Sequence, residues 1–271
     1  MIVDTSIHQL LNHLPKCRLA KLSGKSIWVI GAGSGYGKAA TLLLASAGCQ
    51  VFISGRTQEK LEQTWNMAKS MGLDVSKLIV GPADITNVDS LDNALTNIRQ
   101  YTHILYGLVL TAAMPQNQPC QTPLLDFSME QWCSMMSTNL DSAFLTIKMA
   151  IPLLIQSSQA RILCFTSKAG WSDTLGFGPY NISKCALNAY VASVAQELRY
   201  RYPYQDIQIN AIEPGEAFTE MNQGSPTSPL AISKILLHLL TTNKDGPSGK
   251  FFDREMSSIR FNSVEPYVDT L

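Results

Sequence analysis

An excess charge of either sign is missing from this chain: 21 Lys and Arg meet 21 Asp and Glu in 271 residues, a formal net charge of +0. A nucleic-acid or anionic-membrane footprint needs a basic excess on at least one face, so the balance argues against both partners. Long hydrophobic runs are missing too. A membrane helix takes about 18 consecutive apolar residues, whereas the strongest candidate, Ile104 to Met114, is broken at Gly107 and followed by Pro115. The N-terminus carries Asp4 early and lacks the continuous apolar stretch of a signal peptide. Histidine is scarce and scattered (His8, His13, His103, His238), and no C-x-x-C pair occurs among Cys17, Cys49, Cys120, Cys133, Cys164 and Cys185. No metal-ligand spacing results, so no metal is expected. Several of these cysteines sit inside apolar runs, where a reduced, buried thiol is the expectation. Together these absences lead to the expectation of a soluble, cytoplasmic protein.

What is present is apolar material in a regular order. At 45% hydrophobic residues and 8% aromatic, the chain has enough for one large core, and its length suits a single α/β domain. After a weakly amphipathic arm over residues 1–22, short apolar runs alternate with helical stretches. Strands are expected at Lys25–Ile30, Gln50–Ser54, Leu78–Ala83, Ile104–Thr111, Arg161–Phe165, Ile207–Ile212 and Gly249–Phe252. Helices are expected over Lys38–Ala47, Thr57–Met71, Val88–Tyr101, Ser128–Gln156 with a kink at Pro152, Tyr180–Tyr200 and Leu230–Thr241. Continuous apolar strands separated by helices indicate a parallel sheet covered on both faces. No linker or repeat divides it. Residues 23–271 are therefore expected to form a single doubly wound, Rossmann-type α/β domain.

The first strand runs into Gly31-Ala32-Gly33-Ser34-Gly35-Tyr36-Gly37, which opens the first helix. A helix N-terminus offers unpaired N–H groups and a positive dipole end to a pyrophosphate, and glycines let the backbone come close to it. The spacing G-x-G-x-x-G fails because Tyr36 takes the third position; Gly31, Gly35 and Gly37 fit G-x-x-x-G-x-G instead. The second strand ends in Ser54-Gly55-Arg56-Thr57, without the acid that would bond a free ribose 2′-hydroxyl. Arg56 suits a 2′-phosphate through charge-assisted bonds, which favours NADP(H) over NAD(H).

Tyr180 and Lys184 stand four apart at a helix start, hence on one face. The pattern is weak alone; its company strengthens it. Thr166-Ser167 closes the fifth strand, at the edge where open α/β sheets bind ligands, and Asn139 lies in the helix before it. Each residue also has a plainer reading: Arg56 as a solvated surface charge, Ser167 as a turn hydroxyl, Asn139 as an ordinary polar helix residue, Asp84 as a loop cap.

With these motifs in order, the chain resembles the short-chain dehydrogenase/reductase family over about Ser23 to Met221, with a carbonyl-reductase-like C-terminus. The resemblance implies a catalytic tetrad of Asn139, Ser167, Tyr180 and Lys184. It implies a cofactor site drawn from Gly31, Gly33, Ser34, Gly35, Tyr36, Gly37, Arg56, Asp84, Ile85, Thr111, Ala112, Tyr180, Lys184, Pro214, Gly215 and Thr219. The activity it implies is hydride transfer between a small-molecule carbonyl and its secondary alcohol, with Tyr180 exchanging the proton, Lys184 lowering its pKa, Ser167 holding the substrate oxygen and Asn139 holding a water that links Lys184 to solvent. It also implies a homodimer or homotetramer. Two readings of other classes stay open, an NADP(H)-binding sensor or scaffold without turnover and a dehydratase or epimerase on the same scaffold; a 3-oxoacyl-carrier-protein reductase is a narrower form of the first.

The chain departs from the family at four places. Ile30 replaces a usual Thr, and Leu110-Thr111-Ala112-Ala113 replaces Asn-Asn-Ala-Gly. Glu213 and Glu216 flank Pro214-Gly215, with Glu216 expected near the nicotinamide or simply facing water. The segment from Met221 to Leu230 is short, which suggests an open substrate entrance. Trp171 and Phe177 read equally as a substrate wall or as core.

Overall fold

The computed structural model describes residues 14–115, 123–171 and 177–259. Residues 1–13 of the expected arm, with His8 and His13, lie outside the described residues, as do Cys120 and residues 260–271.

Strand β1 (Ser26–Ile30) is buried along almost its whole length. Its alternation sends Ile27 and Val29 into one apolar cluster and Trp28 and Ile30 into the other. This is the pattern of a strand with helices on both faces. Around it lie β2 (Gln50–Ser54), β3 (Leu78–Val80), β4 (Gly107–Leu110), β5 (Gln159–Phe165), β6 (Asp206–Glu213), β7 (Lys250–Asp253) and β8 (Ser258–Ile259). The sheet order is β3-β2-β1-β4-β5-β6-β7-β8. All neighbours are parallel except β7 and β8, which pair Phe251 with Ile259 in antiparallel fashion. The order reverses between β1 and β4, which opens a crevice beyond the strands' carboxyl ends.

One face carries α1 (Lys16–Leu22), α2 (Gly35–Ser46), α3 (Gln58–Ser70) and α8 (Ser233–Leu240); the other carries α4 (Val88–Arg99), α6 (Ser142–Leu154) and α7 (Pro179–Arg201). Their ends are set locally. Asn87 caps α4 by accepting from the Ser90 N–H at 2.9 Å, and Ser128 with Gln131 forms a reciprocal capping box on α5 (Met129–Met136). Pro179 opens α7, where a missing N–H costs nothing.

The structure differs from expectation at three elements. The helix expected over Ser128–Gln156 is α5, a π turn at Ser137–Asp141, and α6 with Pro152 inside it. A π turn adds a residue to one turn and rotates the helix beyond it; here it buries Asn139. Residues 14–22, expected as an arm, contribute Leu14 and Leu22 to the core, and Arg18 donates to the Thr241 hydroxyl at 2.8 Å. The short β8 carries too little pattern to be legible.

Two polar devices hold the sheet at its two ends. The fully buried Trp28 donates to the Ser54 hydroxyl at 2.9 Å, which donates to the Gly81 carbonyl at 2.6 Å, tying β1, β2 and the end of β3 together. At the opposite edge Arg161 and Asp206 form a buried ion pair at 2.7 Å between β5 and β6, and Arg161 also donates to the Thr242 hydroxyl and carbonyl.

Candidate active site

The carboxyl ends of β1, β2, β4, β5 and β6 lie side by side, with Ile30 in register with Ser54 and Leu110, and Phe165 with Ile212. Above β1 and β2 opens a cavity of about 450 Å³, within the usual range for ligand sites. Gly31, Gly33, Ser34, Gly35, Tyr36, Gly37, Arg56, Asp84, Ile85, Thr111, Ala112 and Thr219 all line it. Pro214, Gly215, Tyr180, Lys184, Asn139 and Ser167 lie outside that lining, toward β5 and β6.

The glycine turn is packed too tightly for other residues. Gly31 has φ +83°, and a Cβ there would lie 2.7 Å from the Ala112 nitrogen; a Cβ on Gly37 would lie 2.1 Å from the Gly31 carbonyl oxygen. The hydroxyl lost with Ile30 is supplied from the end of β4, because Thr111 donates to the Ile30 carbonyl at 2.7 Å. The turn feeds α2, whose N-cap Ser34 makes no side-chain capping bond and whose first turn carries no acid. Unpaired N–H groups and the positive helix end therefore face the cavity, as a pyrophosphate requires. The donor set fits the phosphates of a dinucleotide.

Arg56 and Asp84 face the cavity from the ends of β2 and β3. The Thr86 hydroxyl and N–H hold the Asp84 carboxyl below its usual range, and the Arg56 guanidinium adds to the effect. Lys60 and Glu220, which no motif marks as site residues, line the same cavity and form an ion pair at 2.6 Å.

Tyr36 joins the cavity to the second group of residues. Its hydroxyl donates to the Gly215 carbonyl at 2.6 Å, its ring lies 5.8 Å from that of Phe165, and burial pushes its pKa up to about 12. Beyond it, Ser167 follows the end of β5 and accepts from the Ala169 N–H at 3.2 Å, and its side chain acts on the phenol of Tyr180, in the first turn of α7, to lower its pKa. One turn on, the buried Lys184 places its Nζ 5.7 Å from the centre of the Tyr180 ring and donates to the Phe165 carbonyl at 3.0 Å.

The electrostatics differ from the sequence expectation. Burial raises the Tyr180 pKa; the Ser167 side chain pulls it down and Glu213 raises it further. Burial lowers Lys184 itself to about 8, and its ammonium is spent on a carbonyl.

Asn139 sits in the π turn with every side-chain polar atom engaged. Its Oδ1 accepts from the Met114 N–H at 2.6 Å, and its Nδ2 donates to the Met114 carbonyl and the Ser183 hydroxyl, each at 3.1 Å. It ties the segment after β4 to α7 beside Lys184. Glu216 is exposed, while Glu213 is buried at the end of β6, accepts from the Gly215 N–H at 3.0 Å and has its pKa raised by burial. Trp171 packs edge-on against Phe251 of β7 at 5.8 Å, and Phe177 lies 6.4 Å from Tyr180. The sequence signal for Glu213 is its position in an apolar strand, where a carboxylate needs a partner. Among the described residues no group of His, Cys, Asp and Glu has a metal-binding arrangement, and no helix is long and apolar enough to cross a membrane.

Comparison with known proteins agrees with this fold. An oxidoreductase of Staphylococcus aureus (strain USA300), itself uncharacterized, is 28% identical over 229 residues, covering 82% of this chain and 94% of that one. A solved short chain dehydrogenase structure from Pseudomonas syringae superposes with a TM-score of 0.78 at 25% identity, covering 87% of this chain and 96% of that one. One from Escherichia coli CFT073, complexed with NADPH, has the same fold, with a TM-score of 0.78 at 22% identity over 88% of this chain and 99% of that one. The family model for short chain dehydrogenase matches residues 25–229, three quarters of the sequence and all of the strands from β1 to β6, so the chain belongs to the short chain dehydrogenase family.

Proposed function

We propose that the protein is an NADP(H)-dependent oxidoreductase that interconverts a small-molecule ketone or aldehyde and the corresponding alcohol. The observation that carries the reading is the grouping of Ser167 and Tyr180, whose side chains interact, with Lys184 one helical turn away, at the strand edge that also holds the glycine cavity. The preference for NADP(H) is supported by Arg56 on the cavity wall with no acid at the end of β2, and by the fold shared with a structure complexed with NADPH.

In this reading the glycine turn and the open end of α2 hold the pyrophosphate, Arg56 the 2′-phosphate, and Thr219 with Pro214-Gly215 the nicotinamide end. When bound, the nicotinamide supplies or accepts the hydride at the carbonyl carbon. Ser167 holds the carbonyl oxygen by a hydrogen bond that strengthens as negative charge grows there. Tyr180 gives its phenolic proton to that oxygen, and the O–H bond so formed completes the alcohol. The resulting phenolate regains a proton by way of Lys184. Because burial holds the Tyr180 pKa up, the phenolate must be stabilised by groups that arrive with the ligands, which makes proton transfer conditional on a filled site. Asn139 fixes the π turn against α7 and so keeps Lys184 in line. Self-association, as a homodimer or homotetramer, belongs to the same reading; Phe144 on α6 and Ile182 on α7 are exposed apolar residues on neighbouring helices.

The test is consumption of NADPH and NADH, in parallel, with a panel of ketones and aldehydes. NADPH turnover that disappears in Tyr180→Phe while NADPH binding stays is the expected result. Turnover retained by Tyr180→Phe overturns the role of Tyr180. Binding of NADPH with silence across the panel favours the sensor reading.

A further inference from the structure

Lys60 is on the first turn of α3, and its stem passes over the glycine turn: a Cβ on Gly33 would lie 2.9 Å from the Lys60 Cβ. The bare backbone at Gly33 is therefore what lets this side chain lie along the cavity wall, on the same side as Arg56 and Thr57. From the other side comes the loop after β6. Thr219 packs its methyl group on the turn, 3.2 Å from where a Gly35 Cβ would stand, and pairs through its backbone with Asn222. One residue on, Glu220 reaches across and takes the Lys60 ammonium at 2.6 Å, 160 positions away in sequence.

The clasp so formed lies in the lining of the cavity. It is an exposed pair, with side-chain accessibilities of 43% and 60%, and exposed ion pairs of this kind contribute little to stability. A phosphate monoester brings up to two negative charges and three acceptor oxygens where a carboxylate brings one charge and two oxygens, and charge-assisted bonds to phosphate are among the strong ones. Lys60 thus has a partner that a phosphate can displace at small cost, on a wall where Arg56 already supplies a second cation.

We propose that Lys60 is a second reader of the cofactor's 2′-phosphate, that Glu220 occupies it in the cofactor-free protein, and that the phosphate takes Glu220's place. The inference rests on the NADP(H) reading given above and goes beyond it in one respect: the phosphate that distinguishes the two nicotinamide cofactors also releases the 218–222 loop from α3. That loop contains Met221 and leads into the short segment at the expected substrate entrance. Discrimination between cofactors and access to the site then share one ion pair.

The test uses the full chain, 2′,5′-ADP and 5′-AMP as probes, and dissociation constants from calorimetry, without turnover. Lys60→Gln is expected to weaken 2′,5′-ADP by about tenfold, the scale of one charge-assisted bond, and to leave 5′-AMP unchanged. Glu220→Gln is expected to tighten 2′,5′-ADP and leave 5′-AMP unchanged. The gain must vanish in the Lys60→Gln background, since Glu220 acts only by competing for Lys60. If Lys60→Gln leaves the ratio of the two affinities at its wild-type value, or if the Glu220→Gln gain persists without Lys60, the proposal is overturned. Arg56→Gln separates this failure from that of the underlying reading. A wild-type protein that binds both probes equally removes the NADP(H) preference itself. A wild-type preference that Arg56→Gln abolishes and Lys60→Gln does not removes only the role of Lys60.

Discussion

Lys184 is the residue whose environment asks most of the fold. Its stem and ammonium are buried against Cys164 and Phe165, and burial lowers its pKa from 10.5 to about 8. Between those two values the unfolded chain holds the proton that the folded chain releases, so stability rises with pH across that window. Replacing Lys184 with Met removes the titration and keeps most of the packing. The wild type is therefore expected to gain on Lys184→Met, in urea midpoints of the cofactor-free protein, as pH rises from 8 toward 10. Parallel midpoints over that range would exclude the burial cause. The sequence shows that Lys184 and Tyr180 share a helix face; it does not show that the ammonium turns to the Phe165 carbonyl, because that acceptor lies on a separate strand.

At the scale of elements, local pattern decides what is legible. The strands from β1 to β7 announce themselves as apolar runs, and the glycine turn stands in register between β1 and α2. The π turn is not legible. It shifts the helical phase just ahead of Ser142–Leu154, a stretch apolar at so many positions that its sequence marks no single face against which the shift could be read. The inward polar Asn139, followed by the buried Ser142, is the only local sign of it. Asn139 then does in three dimensions what the sequence could not display, joining Met114 to Ser183. Asn139→Ala is expected to cost about 1–3 kcal/mol, because it orphans the Met114 N–H and carbonyl and takes a donor from the Ser183 hydroxyl, which keeps its bond to the Tyr180 carbonyl. Chemical denaturation measures it; a loss within a few tenths would mean that the π turn holds without it. Lys60 and Glu220 are illegible for the same reason at longer range, two ordinary charged positions until the fold sets them face to face.

Across the whole molecule, the working edge of the sheet and the opposite edge are built on different principles. The working edge keeps donors and cations open to the cavity. The opposite edge is closed around Arg161, which is bonded to Asp206, Ala160 and Thr242 with no exposure. A buried pair is worth little against an apolar replacement but much against loss of one partner. Asp206→Ala is expected to destabilise the protein by about 3 kcal/mol. The joint change Arg161→Met with Asp206→Leu should lose less than Asp206→Ala alone, and equal losses in the two variants would show that the pair itself supplies the stability. Neither change is expected to alter the affinity for 2′,5′-ADP, since the Arg161 end of the sheet lies opposite the cavity.

The strand order β3-β2-β1-β4-β5-β6-β7-β8 is also a schedule of synthesis. From β1 onward, every new strand pairs with one already made: β2 on β1, β3 on β2, β4 back on the free side of β1, and each later strand on its predecessor. A chain leaving the ribosome never has to hold a strand in waiting for a partner still untranslated, which shortens the time an open apolar edge spends exposed. Gly31–Gly37, Arg56, Asp84 and Thr111 all emerge before the first of Ser167, Tyr180 and Lys184, so most of the cavity wall takes shape before those three residues are made, and Thr219 closes it after them.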